Sequence, residues 1–265
     1  MGVFGQLYST EPERALTLVQ DAAWLLAAEL RASGVDLGLA PVLDIDRGIS
    51  RVVGDRSFSG DPDVVVTLAK AYLTGIEGAG MAAVGKHFPG HGGVGVDSHI
   101  GLPVDNRTID ELADDLRPFV ELIRAGLHGV MPGHLRFPAV TDEAAGFSQH
   151  WLQTVLRGEL GFQGAIFSDC LNMAGASVAG DVQGRVEKAF AAGCDLVLVC
   201  NNPDAVEGLL RARDADTLNV FEQPENAQQR IARVQSMKGR PALTWEELLD
   251  ARRRLTLLNE VALLR

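Results

Sequence analysis

The densest set of reactive side chains lies between Lys86 and His99. Within these fourteen positions the chain holds Lys86, His87, His91, Asp97 and His99, separated by glycines that allow a loop to bend. Imidazole titrates near neutral pH, so a cluster of this kind suits proton transfer to and from a substrate. A single histidine is more often structural than catalytic. Several polar groups in one short segment favour an active site.

A metal site is the first alternative for this cluster, because histidine is a common metal ligand. The histidine spacing matches no H-E-x-x-H or related zinc pattern. The three cysteines, Cys170, Cys194 and Cys200, form neither a C-x-x-C pair nor a disulfide framework, which indicates a reducing compartment. We therefore expect no metal and no other cofactor.

Two further positions carry candidate groups. Asp169 follows the apolar residues of a predicted strand, which holds a carboxylate rigidly enough for a nucleophile. The alternative is that Asp169 only caps the next helix. Arg56 lies in the loop Gly54-Asp-Arg-Ser-Phe58, where its guanidinium either donates to substrate hydroxyls or faces solvent.

The elements that must position these groups alternate between amphipathic helices and short apolar runs. Helical periodicity covers residues 12–33, 62–78, 109–125, 149–160 and 182–192; the apolar runs are 35–43, 81–87, 129–134, 164–169 and 194–201. Continuous apolar runs that end in polar residues are typical of buried parallel strands. No glycine-rich nucleotide motif follows any run, so the pattern favours a barrel with its site at the carboxyl ends of the strands.

The composition of the chain limits the classes of molecule that it is expected to bind. The chain has 265 residues and a formal net charge of -11. Such a charge repels nucleic acid and anionic lipid, so we expect a small substrate and neither of those partners. The first residues lack the features of a signal peptide, and no segment has the roughly 20 apolar residues of a membrane span. These features predict a cytoplasmic protein.

The domain organisation is predicted to be simple. Residues 1–265 contain no linker rich in Pro, Gly or Ser, which indicates one catalytic barrel domain. Residues 214–226 are polar and predict a loop. Helical segments at 228–237 and from 245 onwards follow it, and we expect residues 214–265 to pack outside the barrel.

Five segments together resemble a known family. They are Lys86-His-Phe-Pro-Gly-His-Gly92, Asp97-Ser-His99, Pro41-Val-Leu-Asp-Ile-Asp46, Gly54-Asp-Arg-Ser-Phe58 and Ile166-Phe-Ser-Asp169. In order and spacing they look like the family 3 glycoside hydrolases of the bacterial β-N-acetylglucosaminidase (NagZ) type. The likeness runs from about residue 1 into the C-terminal region.

The resemblance implies a TIM-type (β/α)₈ barrel that removes non-reducing terminal β-linked N-acetylglucosamine with retention of configuration. It assigns Asp169 as the nucleophile, His99 as the general acid/base and Asp97 as its hydrogen-bond partner. It assigns Arg56, Lys86 and His87 to sugar binding. The implied substrates are cell-wall muropeptides, and the implied role is peptidoglycan recycling in the cytoplasm.

The sequence departs from the family in two places. The family commonly reads F-S-D-D-L-x-M, whereas this chain has Cys170 directly after Asp169, as a small packing residue or a reactive thiol. A V-D-Q-E-G-G-R-like segment, whose aspartate binds the sugar in relatives, is also not found in the 265 residues. We therefore expect an N-terminally truncated barrel with about five of eight strands, an incomplete sugar site and impaired activity.

Two other functions stay open from the sequence. One is a catalytically impaired sugar-binding protein that pairs its open barrel edges in an oligomer. The other is a β-glycoside hydrolase or phosphorylase of the same family, because a neutral histidine tolerates an incoming phosphate better than a carboxylate does.

Overall fold

A five-stranded parallel sheet forms the centre of the molecule. The computed structural model describes residues 1–215, 217–218, 224–241 and 243–262. In chain order the described strands are β1 (Leu37–Gly38), β2 (Ala82–Phe88), β3 (Gly129–Pro132), β4 (Arg136–Phe137), β5 (Thr141–Ala144), β6 (Ala165–Cys170) and β7 (Leu196–Leu198). The parallel sheet has the order β1-β2-β3-β6-β7, and β4 and β5 form a separate antiparallel hairpin. Both edges of the parallel sheet, β1 and β7, are short strands.

Helices connect the parallel strands. They are α1 (Gly2–Tyr8), α2 (Pro12–Ala32), α3 (Pro62–Gly78), α4 (Ala113–Arg124), a π-type helix (His150–Glu159), α5 (Val182–Ala192), α6 (Pro203–Asp214), α7 (Pro224–Ser236), α8 (Trp245–Leu249) and α9 (Arg252–Ala262). Asp61, Asp181 and Asn202 cap α3, α5 and α6 by accepting hydrogen bonds from backbone N–H groups of the first turn. Within the described residues, no helix is both long and apolar enough to cross a membrane.

The two faces of the parallel sheet pack into two different hydrophobic clusters. On one face, side chains such as Ala83, Val130 and Ile166 join the main core beneath the helices. On the other face, alternate residues of β2, β3 and β6 form a smaller cluster with Met237, which follows α7; its sheet members are Ala82, Val84, Met131, Ala165 and Phe167. Because side chains alternate along a strand, residues further along β2 and β6 in the same register point toward this second face.

Aromatic rings fix the main core next to the carboxyl end of β2. Phe88, the last residue of β2, packs edge-to-face on Phe119 of α4 at 5.3 Å and on Trp151 of the π-type helix at 5.9 Å between ring centroids. Phe137 of β4 meets the other side of Trp151 at 5.3 Å. These four fully buried rings join the end of β2 to a helix on either side and to the hairpin.

The expectation of about five parallel strands is confirmed, but several boundaries differ. The first apolar run, predicted as a strand over 35–43, pairs in regular register with β2 at β1 and through a bridge from Val42 to Lys86, and the Val84 N–H donates to the Ala40 carbonyl between them. Pro41 interrupts it because proline has no backbone N–H to donate to the neighbouring strand. The pattern also did not predict α1, α6 or the β4–β5 hairpin.

The C-terminal region also differs from its predicted boundaries. The loop expected at 214–226 begins later and ends earlier, because Asp214 is the last residue of α6 and Pro224 the first of α7. Residues 216 and 219–223 lie outside the described part. α8 and α9 pack on α2, where the Arg253 guanidinium lies 4.5 Å from the centroid of the Trp24 ring. The expected domain limits, and pairing of sheet edges between copies, stay predictions.

A buried carboxylate connects the last two strands to their helices. Asp195, just before β7, accepts hydrogen bonds from the Ile166 backbone N–H at 2.7 Å and from the guanidinium groups of Arg157 at 2.7 Å and Arg233 at 3.1 Å. Only 2% of the Asp195 side chain is exposed. The carboxylate therefore holds β6, the π-type helix and α7 together.

Replacing Asp195 with alanine is expected to lower the free energy of unfolding by about 3 kcal/mol or more, because two arginines lose their partner beside the core. Urea unfolding followed by circular dichroism measures this. Asp142→Ala, at a side chain that is 91% exposed in the hairpin, is the matched control and should leave the urea midpoint unchanged. Equal midpoints for the two variants would show that Asp195 does not have this role.

Candidate active site

The carboxyl ends of β2 and β6 place Lys86 and Asp169 on the same face of the sheet. Lys86 follows Ala82 and Val84 in the alternation of β2. Asp169 lies in β6 two residues after Phe167, where the pairing with β7 shifts register, and its position is indicated by its interaction with Lys86. The negative charge of Asp169 acts directly on the Lys86 ammonium group. The backbone N–H of Cys170 donates to Asp169 Oδ1 at 2.7 Å, which orients the carboxylate.

A second carboxylate, Asp44, organises the loop that follows β2. Asp44 is 1% exposed and lies just after the bridge that extends β1. Its oxygens accept a hydrogen bond from the His87 backbone N–H, another from His87 Nδ1 at 2.7 Å, and a third from the His91 backbone N–H at 2.7 Å. One buried carboxylate thus fixes both ends of the segment from His87 to His91.

The hydrogen bonds around Asp44 also determine its protonation. Burial by itself raises the pKa of a carboxyl group, since it disfavours the charged form. The charge and hydrogen bond of His87 and the N–H of His91 outweigh burial, so the pKa of Asp44 lies below its ordinary value. Asp44 is therefore an anion at neutral pH, as the three donors require.

The chain from His91 onward connects this cluster to the Asp97–His99 segment. His91 Nε2 is hydrogen-bonded to Ser98 Oγ at 3.2 Å, and the Ser98 carbonyl accepts from the Gly175 backbone N–H at 3.0 Å. Glycine at 175 suits this close approach, because a Cβ there would lie 3.0 Å from the Ser98 carbonyl oxygen and 3.1 Å from His134 Cβ, closer than most Cβ contacts. The loop after β2 and the loop after β6 are therefore packed directly against each other.

Asp97 and His99 form a pair within their loop. Asp97 Oδ1 accepts from His99 Nδ1 at 2.7 Å and from the His99 backbone N–H at 2.8 Å. The hydrogen bond from the backbone N–H is the main reason that the pKa of Asp97 lies below its ordinary value. Since Nδ1–H is donated to the carboxylate, Nε2 of His99 is left to face a ligand. The His99 side chain is 62% exposed.

Arg56 and Lys86 share a cavity of about 330 Å³ with residues of the β1 segment and with Met1. Burial is the main reason that the pKa of Lys86 is lowered, and the positive charge of Arg56 acts in the same direction; Asp169 and Asp44 oppose it. Arg56 also donates to the Val52 carbonyl through Nε at 2.8 Å. Another cavity of about 390 Å³, between Arg136 and Lys188, contains none of the predicted site residues.

His134 follows β3 by two residues and lies near Asp169, whose charge acts on it. Its ring stacks on Phe147 with 5.5 Å between centroids, and its Nε2–H donates to the Cys170 carbonyl at 3.1 Å. Burial lowers the pKa of His134 and of His91, so both rings are neutral near pH 7. His134 therefore holds the main chain directly after Asp169 without adding a charge.

The structure places the predicted residues in two groups. Lys86, His87, Arg56 and Asp169 lie around the carboxyl ends of β1, β2 and β6, whereas Asp97 and His99 lie on the loop beside them. Within the described residues, no hydrogen bond or ion pair joins His99 to Asp169. Nor, in that same part of the chain, do three or more His, Cys, Asp or Glu side chains come together to hold a metal ion.

Three residues of the site were not predicted as functional residues: Asp44, Ser98 and His134. His91 was predicted only as a member of the cluster from Lys86 to His99, without a role of its own. The polar ending Asp44-Ile-Asp46 after an apolar run, and His134 after the run at 129–134, were the available signals. Neither of these two signals shows which side chain points into the site. That depends on partners such as His87, which is 43 residues away from Asp44 along the chain.

The stability contributed by Asp44 should depend on pH. Because its folded pKa is depressed, the contribution is present above the pKa of the unfolded chain, near 4, and is lost as pH falls through the folded value. Urea unfolding of the wild type and of Asp44→Asn between about pH 6 and pH 3 measures it. The difference in unfolding free energy should be large at pH 6 and should shrink below about pH 4. A difference that stays constant across this range would contradict the role of a charged Asp44.

Three comparisons with known proteins agree on the family. Residues 2–235 match the model of the glycosyl hydrolase family 3 N-terminal domain. A β-hexosaminidase of Thioalkalivibrio sulfidiphilus is 49% identical over 94% of this chain and 69% of its own length. A β-hexosaminidase of Nitrosospira multiformis is 50% identical over 91% of this chain and 67% of its own length.

The structural comparison gives the same result. The crystal structure of NagZ from Neisseria gonorrhoeae in complex with N-trifluoroacetyl-D-glucosamine superposes with a TM-score of 0.86 and 41% identity. That superposition covers 99% of this chain and 74% of the other. The resemblance inferred from the motifs is confirmed, and the chain belongs to glycosyl hydrolase family 3, whose N-terminal domain it matches over most of its length.

Proposed function

We propose that this chain carries the catalytic residues of a retaining β-N-acetylhexosaminidase. The substrate is a non-reducing terminal N-acetylglucosamine in β linkage. The observation that carries the proposal is the Asp97–His99 pair, with its 2.7 Å hydrogen bond, on a loop packed against the loop that follows Asp169. The identity of about half of all aligned residues with β-hexosaminidases supports it.

In the first step, the Asp169 carboxylate attacks the anomeric carbon from one face of the sugar. The bond from that carbon to the leaving oxygen breaks, and the leaving oxygen takes the proton of His99 Nε2. The products are a glycosyl ester on Asp169 and a neutral imidazole. The Cys170 N–H, which holds Asp169 Oδ1, leaves the second carboxylate oxygen for the attack.

In the second step, water hydrolyses the ester. His99 Nε2 accepts a proton from the water as its oxygen attacks the anomeric carbon from the opposite face, and Asp169 leaves as a carboxylate. Two inversions give overall retention. Asp97 is a positioning residue in both steps, because its carboxylate accepts the Nδ1–H and stabilises the imidazolium form of His99.

Closure of the loop accompanies these steps in our proposal. His99 is mostly exposed and, within the described residues, has no bond to Asp169, so the acid/base must approach when the sugar binds. The glycines around His91 give the loop the backbone freedom for this movement.

In our proposal the sugar binds on the side of the site that carries the positively charged residues. Lys86 and Arg56 line one cavity, and both are donors suited to hydroxyl groups. His87 is held by Asp44 so that its Nε2 is the free ring nitrogen. We propose that the five parallel strands are part of an eight-stranded barrel, in line with relatives that are longer than this chain.

The biological substrates in our proposal are muropeptides released from the cell wall, and the role is peptidoglycan recycling in the cytoplasm. A relative of known structure binds N-trifluoroacetyl-D-glucosamine, an analogue of the sugar that we assign. The net charge of -11 fits a small carbohydrate substrate better than an anionic polymer.

Replacement of Asp169 by asparagine should remove hydrolysis of 4-nitrophenyl N-acetyl-β-glucosaminide. We expect kcat to fall by about 10³-fold or more, because no ester intermediate can form. Release of nitrophenolate measures it. Asp142→Asn, an exposed aspartate in the hairpin, is the matched control and should keep wild-type rates. Retention of activity in the Asp169 variant would exclude it as the nucleophile.

Replacement of His99 by alanine should cost more for a poor leaving group than for a good one. Nitrophenolate leaves without protonation, whereas a methyl aglycone needs the acid, so kcat/KM for the methyl glycoside should fall by about 10²-fold or more and that for the nitrophenyl glycoside much less. His150→Ala, at an exposed histidine, should leave both values unchanged. Equal losses for both substrates would indicate a role other than acid catalysis for His99.

A further inference from the structure

Two cysteine side chains meet beside Asp169. Cys170 is the last residue of β6 and pairs in register with Leu198 of β7, and Cys200 follows β7 by two residues. The backbone N–H of Cys200 donates to Cys170 Sγ at 3.2 Å, so the sulfur of one cysteine already lies against the main chain of the other. Burial raises the pKa of the Cys200 thiol, and the neighbouring Cys170 thiol raises it further.

The pair is accessible, in contrast to the third cysteine. Cys200 is exposed and Cys170 is half-buried, whereas Cys194 is fully buried in the core. Burial raises the pKa of the Cys194 thiol to about 12. Only Cys170 and Cys200 are therefore able to react with a reagent in solution while the protein stays folded.

We propose that Cys170 and Cys200 form a reversible intramolecular disulfide that changes the surroundings of Asp169. Disulfides join Cα atoms about 4.4–6.8 Å apart. The 3.2 Å contact between the Cys200 backbone N–H and Cys170 Sγ brings the main chain of one cysteine to the sulfur of the other, which is the proximity that such a bond needs.

The chemistry is thiol–disulfide exchange with a low-molecular-weight disulfide such as oxidised glutathione. The thiolate of exposed Cys200 attacks one glutathione sulfur, forms a mixed disulfide and releases one glutathione thiolate. The thiolate of Cys170 then attacks the Cys200 sulfur and releases the second. Two electrons pass from the cysteines to glutathione, and the two protons from the cysteine thiols end on the two glutathione thiols.

Oxidation would act on Asp169 through its main-chain contact. The N–H that orients Asp169 Oδ1 belongs to Cys170, and the Asp169 charge in turn reaches Cys200. After burial and the contact with Cys170, that charge contributes to raising the pKa of Cys200, so exchange should be faster above about pH 8 than at neutral pH. The expected effect on catalysis rests on the proposed function, whereas formation of the disulfide does not.

The experiment equilibrates the full chain with mixtures of reduced and oxidised glutathione at about pH 8. After an acid quench, which freezes exchange, the protein is unfolded and alkylated, and intact mass and peptide mapping follow. We expect a Cys170–Cys200 linked peptide, a loss of two hydrogen atoms and one alkylated thiol, Cys194. Reduced glutathione should restore three alkylated thiols. Cys200→Ser should abolish the linked peptide, and Cys194→Ser is the matched control that should keep it.

The outcomes separate the disulfide from the enzyme activity. A linked peptide that contains Cys194, a disulfide between two chains, or three free thiols at a large excess of oxidised glutathione would each overturn the proposal. If the linked peptide forms, nitrophenyl glycoside hydrolysis before and after oxidation tests the effect on Asp169, with Cys200→Ser expected to be insensitive to the oxidant. No hydrolysis in either redox state would count against the proposed function and leave the disulfide established.

Discussion

The buried carboxylate of Asp44 is the interaction on which the rest of the site depends. It lies at the end of the segment that contains β1 and accepts three hydrogen bonds from His87 and His91, which follow β2. An unpaired charge at such a position would be strongly unfavourable, so the carboxylate and its donors determine each other's position. From His91 the contacts continue through Ser98 to Gly175, in the loop beyond Asp169. One anion thus relates the loop that carries Asp97 and His99 to the strand that carries Asp169.

The site combines charged groups with neutral rings. His91 and His134 are uncharged near neutral pH because burial lowers the pKa of both. The carboxylates of Asp44 and Asp169 and the positive charge of Arg56 all act on the partly buried Lys86. Interactions between charges are stronger in such a partly buried space than in water. The charged groups therefore hold one another in place before a small sugar with neutral hydroxyl groups binds.

The sequence predicted the parts of this arrangement that depend on local pattern. Five apolar runs ending in polar residues predicted the parallel sheet and a site at the carboxyl ends of its strands, where Lys86 and Asp169 lie. Asp97 and His99 are only two positions apart in the chain, so their hydrogen bond is a local property. The part of Asp44 in the site could not be predicted, because its partner His87 is 43 positions away and only tertiary folding brings them together. β1 is also shorter than the strand predicted over 35–43. The effect of Pro41 on pairing depends on which strand lies beside it, and the local pattern does not show that.

The central claim is that Asp169 forms the covalent bond to the sugar. A 5-fluoro derivative of N-acetyl-β-glucosaminyl fluoride tests it directly, since the 5-fluorine slows both steps while the good leaving group keeps the first faster than the second. Incubation of the chain with this compound, digestion and mass spectrometry identify the modified residue. We predict a single glycosylated peptide with the sugar on Asp169. A sugar attached to another carboxylate, or turnover of the compound with no modified peptide and with inverted product, would contradict it.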